Sequence, residues 1–155
     1  MSEHACPCGL GSYKECCQPL HLGLAKAQTA EQLMRSRYSA FSQHEIDYIV
    51  KTTAQGQQAF LDVPAITGWA KTNQWLKLEV IKSNDKVDKN HGLVEFKAHY
   101  HDGKQSQVHH ELSHFVKVNE LWYFLDPTTD QQITMKQSCI CGSGKKFKQC
   151  CAQFL

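Results

Sequence analysis

The chain of 155 residues has no cysteine between Cys17 and Cys139; all eight lie in two clusters, one near each end. It also has no long apolar run. The densest, Leu121 to Leu125, is five residues, far short of the roughly 18 that a membrane-spanning helix needs. The opening Met1-Ser2-Glu3-His4-Ala5-Cys6 lacks both a basic region and an apolar stretch, so no export leader is expected and the cytoplasm is the default location. A formal net charge of +2 is too small to point to nucleic acid by itself, and 41% hydrophobic with 21% charged residues describes a soluble globular protein. A chain kept where thiols stay reduced argues against a disulfide framework and for metal.

What is present is a repeated unit. Cys6-Pro7-Cys8-Gly9-Leu10-Gly11 near the start recurs as Cys139-Ile140-Cys141-Gly142-Ser143-Gly144, and Tyr13-Lys14-Glu15-Cys16-Cys17 recurs as Phe147-Lys148-Gln149-Cys150-Cys151. The loop between the cysteine pairs is seven residues in the first copy and eight in the second. A Cys-x-Cys pair and a Cys-Cys pair across a short turn supply four thiolates to one tetrahedral Zn²⁺. The expected ligands are Cys6, Cys8, Cys16 and Cys17 for one ion and Cys139, Cys141, Cys150 and Cys151 for the other. Such closed sites leave no position for a reacting water, so they read as structural. Metal binding, on the order of 10–16 kcal/mol for small zinc peptides, would supply most of the folding free energy of segments this short. Redox exchange between the paired cysteines is the lesser alternative. His21, four residues after Cys17, is a further candidate that could replace one thiolate of the first site.

Between the clusters the hydrophobic period changes once. Over residues 25–60 it is helical: Thr29 caps, Gln32 completes a capping box, and Ala30, Leu33, Met34, Arg37, Tyr38 and Phe41 form one face. A second helix is expected over Glu45–Thr53 with Ile46, Ile49 and Val50 inward, and a third stretch runs to about Trp75. From Trp75 the period is two: strands over Trp75–Lys82, Gly92–His101, Gln107–Val118 and Leu121–Asp126, with turns at Asn84-Asp85, Asp102-Gly103 and Asn119-Glu120. Helices followed by an antiparallel meander make the chain α+β. The expected layout is an N-terminal zinc module over 1–24, an α+β body over 25–130, and a linker with a second zinc module over 131–155.

Within the body, Arg37 falls on the apolar helical face, Glu111 and Ser113 flank Leu112 on a strand, and Asp126 ends the last strand. Arg37 is expected to form a buried ion pair with one of these carboxylates, fixing helix to sheet. Glu111 and Asp126 are also candidates for a general acid/base pair. His99, His101, His109, His110 and His114 read as histidines of a solvated sheet face rather than a third metal site, and Trp69, Trp75 and Trp122 as packing aromatics. Lys145-Lys146-Phe147-Lys148 is the one stretch that interleaves basic and aromatic residues, too little for a specific nucleic-acid site.

The segment Cys139 to Cys151 resembles the SEC-C motif, the zinc-binding tail of the export ATPase SecA that is also appended to many other proteins. With a second copy at the other end, and with Leu33-Met34-Arg35-Ser36-Arg37-Tyr38-Ser39-Ala40-Phe41, His110-Glu111-Leu112-Ser113-His114-Phe115 and Trp122-Tyr123 between them, nearly the whole chain resembles the bacterial YchJ family. The resemblance implies a central domain of the nuclear transport factor 2-like, or SnoaL-like, kind: a cone of helices packed into a curved antiparallel sheet. It implies no activity. Two functional expectations stand side by side. One is a non-catalytic zinc-binding adaptor that meets a protein or ribosomal partner through Lys145, Lys146 and Lys148. The alternative is an enzyme or small-ligand binder using a pocket in the cone. Residues 136–155 carry four lysines and no acidic residue, whereas the first 24 carry two glutamates, so a contact with an anionic partner belongs to the C-terminal end.

Overall fold

The computed structural model describes residues 4–155; the first three residues of the expected N-terminal module, and with them half of the opening six read for a leader, lie outside the described residues. After the first cysteine unit, a short helix α1 (Gln18–His21) leads to α2 (Ala30–Gln43), α3 (Ile46–Lys51) and α4 (Val63–Thr72), with a 3-10 segment Gln55–Phe60 before α4. Helix α2 begins where the capping residues require. Thr29 Oγ1 accepts from Gln32 N at 2.9 Å, and Gln32 Oε1 reaches back to Gln28 N at 2.7 Å, one residue earlier than a standard capping box. It ends at His44, whose left-handed backbone (φ 60°) closes the last turn. In α3 the buried residues are Tyr48 and Ile49, with Ile46 and Val50 half-buried.

Four antiparallel strands follow in the order β1-β2-β3-β4: β1 Gln74–Asp88, β2 His91–His101, β3 Ser106–Val118 and β4 Leu121–Leu125. The turn expected at Asn84-Asp85 is not there; β1 runs on to Asp88 and turns at Lys89-Asn90. Asp85 is used for capping instead, its Oδ1 accepting from Ala30 N at the start of α2 at 3.0 Å, while Asn84 Oδ1 accepts from Lys86 N within β1 at 2.9 Å. The Asn119-Glu120 hairpin has φ values of 51° and 67°, the two-residue turn that matches strand twist.

Cross-strand register assigns the two faces. Phe96 opposite Glu111, Val94 opposite Ser113, and Phe115 opposite Phe124 share the inner face, where Val94, Phe96, Ala98, Phe115 and Trp122 pack against Ala30, Leu33, Met34 and Tyr38 of α2. The far side of α2 is buried as well: Ala40 meets Leu20, Tyr48 and Ile49 of α1 and α3. The outer face carries Val116 and Val118, and it is covered by the C-terminal cysteine unit, whose Cys139, Ile140, Cys141, Phe147, Cys150 and Cys151 join Ala54 and Leu125 in one apolar cluster. Gly56 allows this close approach. Its N–H donates to Ile140 O at 2.6 Å, and a Cβ there would stand 2.7 Å from the same oxygen. The stretch from Thr128 to Ser138 forms no helix or strand, but its last residues pair with the cysteine unit: Phe147 N donates to Gln137 O at 2.8 Å and Lys148 N to Met135 O at 3.0 Å.

Candidate metal centres and central cavity

Both cysteine units fold alike because the same turns recur. Gly9 N donates to Cys6 O as Gly142 N does to Cys139 O, and Cys16 N donates to Tyr13 O as Cys150 N does to Phe147 O. The extra residue of the second copy is absorbed at the loop: Cys6 N bonds Gly11 O, whereas Cys139 N bonds Lys145 O one residue further on. All eight cysteines are free thiols, and in each unit the four Sγ atoms lie within 4.8 Å of one another. The separations include 3.4 Å for Cys8–Cys16, 3.9 Å for Cys16–Cys17, 3.6 Å for Cys141–Cys150 and 3.8 Å for Cys150–Cys151. A tetrahedral ion with bonds of about 2.3 Å to sulfur has S–S edges of about 3.8 Å, so the residues fit such an ion at both places.

Charge asks for the same thing. Four thiols packed this tightly cannot all ionise without a cation. Cys6, bonded by Cys17 and Cys8, is held well below the ordinary thiol range, while Cys17, donating back to Cys6 and Cys8, is pushed far above it. Burial, with the neighbouring Cys8, lifts Cys16 to about 12. The second unit repeats the pattern: contacts with Cys139 and Cys151 hold Cys141 down, Cys151 is driven up by Cys139 and Cys141, and burial raises Cys150 to about 11. Binding a dication releases the retained protons.

The groups around the thiols differ between the units. At the first, Cys6 Sγ meets Ser39 Oγ at 3.7 Å, and Arg35 Nη1 donates to Cys8 O at 2.7 Å. His21 is not a ligand: Tyr13 OH donates to its Nδ1 at 2.6 Å and its Nε2–H donates to Ser36 O at 2.8 Å, so both ring nitrogens are spent joining the unit to α2. At the second, His91, 2% exposed, places Nε2 3.3 Å from Cys151 Sγ and Nδ1 2.8 Å from Asp88 Oδ1. Its ring lies 4.4 Å from that of Phe154. A carboxylate–imidazole–sulfur chain is the arrangement that orients and polarises a metal-binding thiolate. Nothing in the sequence marked Asp88 or His91, which stand some 60 residues from Cys151 and meet it only because β2 passes beneath the C-terminal unit.

The strand histidines divide by face. His99 pairs with Glu79 at 3.2 Å and His110 with Glu95 at 2.7 Å on the outer face, and His101 Nδ1 accepts from Gly103 N at 3.0 Å. His114 stacks near Phe154 at 5.0 Å. Among the described residues only the two cysteine tetrads gather three or more potential ligands.

The inner face opens beyond the α2 contact into a cavity of about 260 Å³, and Arg37, Glu111, Ser113 and Asp126 all line it, with His109, Trp69 and Trp75. Leu112 between the two polar residues points away and is 48% exposed. The expected ion pair of Arg37 is not formed. Its Nη1 instead closes the C-terminal end of α3, donating to Ile49 O at 2.8 Å and Thr52 Oγ1 at 2.7 Å, and its guanidinium carbon sits 4.4 Å from the centre of the Phe124 ring. The carbonyls of a helix end satisfy the buried cation locally, and no carboxylate comes within salt-bridge distance of it among the described residues. Burial brings Arg37 down to about 10, opposed by the fields of Asp126 and Glu111. Glu111 accepts from His109 Nε2 at 2.9 Å and from Ser113 Oγ. The bond from His109 lowers the Glu111 carboxyl and raises the His109 imidazole.

A helix layer closed over a four-stranded meander, with a tetrathiolate unit at each end, defines a nuclear transport factor 2-like domain bearing SEC-C-type modules. The chain belongs to the YchJ family: the model of the YchJ middle, NTF2-like domain matches residues 29–127, and that of the SEC-C motif matches residues 135–153. A UPF0225 protein of Actinobacillus succinogenes is 45% identical over 151 residues, covering 97% of both chains. Another from Geobacter sulfurreducens is 44% identical, covering 94% of this chain and 96% of that one. Among solved structures, a SEC-C motif containing protein from Psychrobacter arcticus superposes with a TM-score of 0.89 at 48% identity, covering 97% of this chain and 96% of that one. One from Rhodopseudomonas palustris gives 0.72 at 37% identity, over 78% of this chain and 94% of that one.

Proposed function

We propose that the chain is a non-catalytic, cytoplasmic adaptor in which two structural zinc ions hold the cysteine modules on the central domain, and that the C-terminal module docks an anionic surface of a protein or ribosomal partner. Zinc is the ion that combines a four-thiolate, closed, tetrahedral set with no redox chemistry of its own. The observation that carries the adaptor reading is the placement of Lys145, Lys146 and Lys148. All three are exposed, while the cysteines beneath them and the intervening Phe147 are buried against the sheet. A basic loop is thereby presented on a fixed base, with little conformational entropy left to lose on binding. The matching loop of the N-terminal module offers Leu10, Ser12 and Lys14 beside Glu15 and has no such charge.

Phe147 is 6% exposed, which removes it as a platform for base stacking and leaves phosphate or carboxylate as the feature that the lysines would meet. Glu111, held ionised by His109, suits a fixed acceptor better than a general acid. Among the described residues no helix is long and apolar enough to cross a membrane. The test is co-sedimentation of the full chain with ribosomes and affinity capture with candidate export factors over a salt series. Association that falls with salt and is lost in Lys145→Glu/Lys146→Glu, with metal content unchanged, supports the reading. Association that is absent or indifferent to both lysines sinks it.

A further inference from the structure

The cavity inside the cone is separate from the basic loop, and its lining is chemically specific. A cavity of about 150 Å³ accommodates benzene, so the 260 Å³ here accepts a ring system about twice that size. The apolar walls are largely aromatic: Trp69 and Trp75 meet edge to face at 5.9 Å, and Phe41, Phe96, Phe115 and Phe124 line the cavity beside aliphatic residues such as Ile49 and Ile66. Polar side chains interrupt them, Arg37 and Glu111 together with Ser113, His109 and Asp126. Arg37, 9% exposed, spends only Nη1 on protein acceptors; its Nε and Nη2 donate to no described residue. Those two nitrogens offer their N–H groups to whatever acceptor fills the cavity that Arg37 lines, water or ligand. On the sheet wall, Glu111 takes one hydrogen bond on each oxygen, from His109 and Ser113, and each oxygen keeps a second lone pair. The two groups feel each other's charge and are not in contact.

We infer that this cavity binds a neutral, planar heteroaromatic molecule of two fused rings, whose lactam-type edge gives a carbonyl oxygen to Arg37 and an adjacent N–H to Glu111. The aromatic walls take the ring faces, and the edge supplies the acceptor and donor that the two side chains lack. Neutrality follows from the charges around the site. A ligand anion drawn to Arg37 would also meet the carboxylates of Glu111 and Asp126, and a cation drawn to those would meet Arg37. The rim holds the exposed Trp69, His109, Pro127 and Thr128, so a small molecule enters without unfolding the domain.

The experiment is titration of the full chain with three probes that share a planar two-ring skeleton, followed by calorimetry and by tryptophan fluorescence, since two of the three tryptophans line the cavity. The probes are isoquinolin-1(2H)-one, naphthalene and 1-naphthoate. The lactam should bind and change the emission, naphthalene should bind at least about tenfold more weakly because it leaves both polar groups unpaired, and naphthoate more weakly than the lactam. Arg37→Met should reduce lactam affinity to the naphthalene level and leave naphthalene unchanged, which a collapsed cavity would not do. Should that variant fail to fold, Glu111→Leu carries the same expectation. Equal binding of naphthalene, tighter binding of naphthoate, a joint loss of lactam and naphthalene in a folded variant, or no binding of any probe overturns the assignment.

Discussion

The two cysteine modules are one unit folded twice, yet they are attached by different forces. The N-terminal copy makes a small cluster of its own, Cys6, Cys8, Tyr13 and Cys17, and reaches the body largely through polar links: Arg35 to Cys8 O, Ser39 to Cys6, and Tyr13 through His21 to Ser36 O. The C-terminal copy has almost no boundary with the body. Its cysteines share one cluster with Val116, Val118 and Leu125, so it forms the cover of the sheet's outer face. Polar links tether at modest net free energy, about 1 kcal/mol each, whereas an apolar cover is part of the core. The lesson is that a duplicated metal unit need not have a duplicated role: the first is an appendage secured to α2, the second a wall of the domain.

The largest expected effect separates the two directly. Cys141→Ser and Cys8→Ser should each remove one of the two ions per chain by metal analysis, but their thermal melts should differ. Losing the C-terminal ion uncovers the sheet and should cost more than about 4 kcal/mol, against on the order of 2 kcal/mol for the N-terminal one. Equal losses would break the distinction. Next in size is the environment of the thiolates. His91→Phe should lower metal affinity at the C-terminal site by about 10–100-fold in competition with a chelator, while Ser39→Ala at the other site should shift it far less. An unchanged affinity in His91→Phe would mean that the Asp88–His91–Cys151 chain only fills space.

The smallest effect concerns acid. Burial holds His21 below its ordinary range. The unfolded chain therefore takes up the proton first, and the stability that neutral His21 contributes is complete above about pH 6.5 and lost as pH falls below it. Protection factors of the amides in residues 6–17, exchange rates corrected for the intrinsic pH dependence, should then fall on mild acidification, and His21→Gln should flatten that dependence. Acid-independent protection in the unsubstituted chain would remove His21 from the docking account.

Much of this was legible beforehand, and the reasons it was or was not are physical. Cysteine pairs eight or nine residues apart are local, so spacing alone specified both tetrads. The face of α2 and the period-two strands were equally readable because burial of one face imposes its period on the sequence. The turn assigned to Asn84-Asp85 falls at Lys89-Asn90 instead, because an Asp serves both as a turn former and as a cap, and only the position of α2 beside β1 chose the second use for Asp85. Arg37 was placed on the correct face but given the wrong partner, since the free C-terminal carbonyls of α3 compete with carboxylates for a guanidinium and periodicity does not say which lies closer.

By itself, then, the sequence determined the composition of each cysteine tetrad, the α+β order of elements, and the charge that distinguishes the C-terminal loop, because each of these is written over short stretches of chain. Tertiary structure decided which module covers the sheet, that His91 and Asp88 stand behind Cys151, and that Arg37, Glu111, Ser113 and Asp126 converge on one cavity with Arg37 left partly unpartnered. Those are contacts between residues tens of positions apart, and they depend on sheet register and helix placement, which no local pattern encodes.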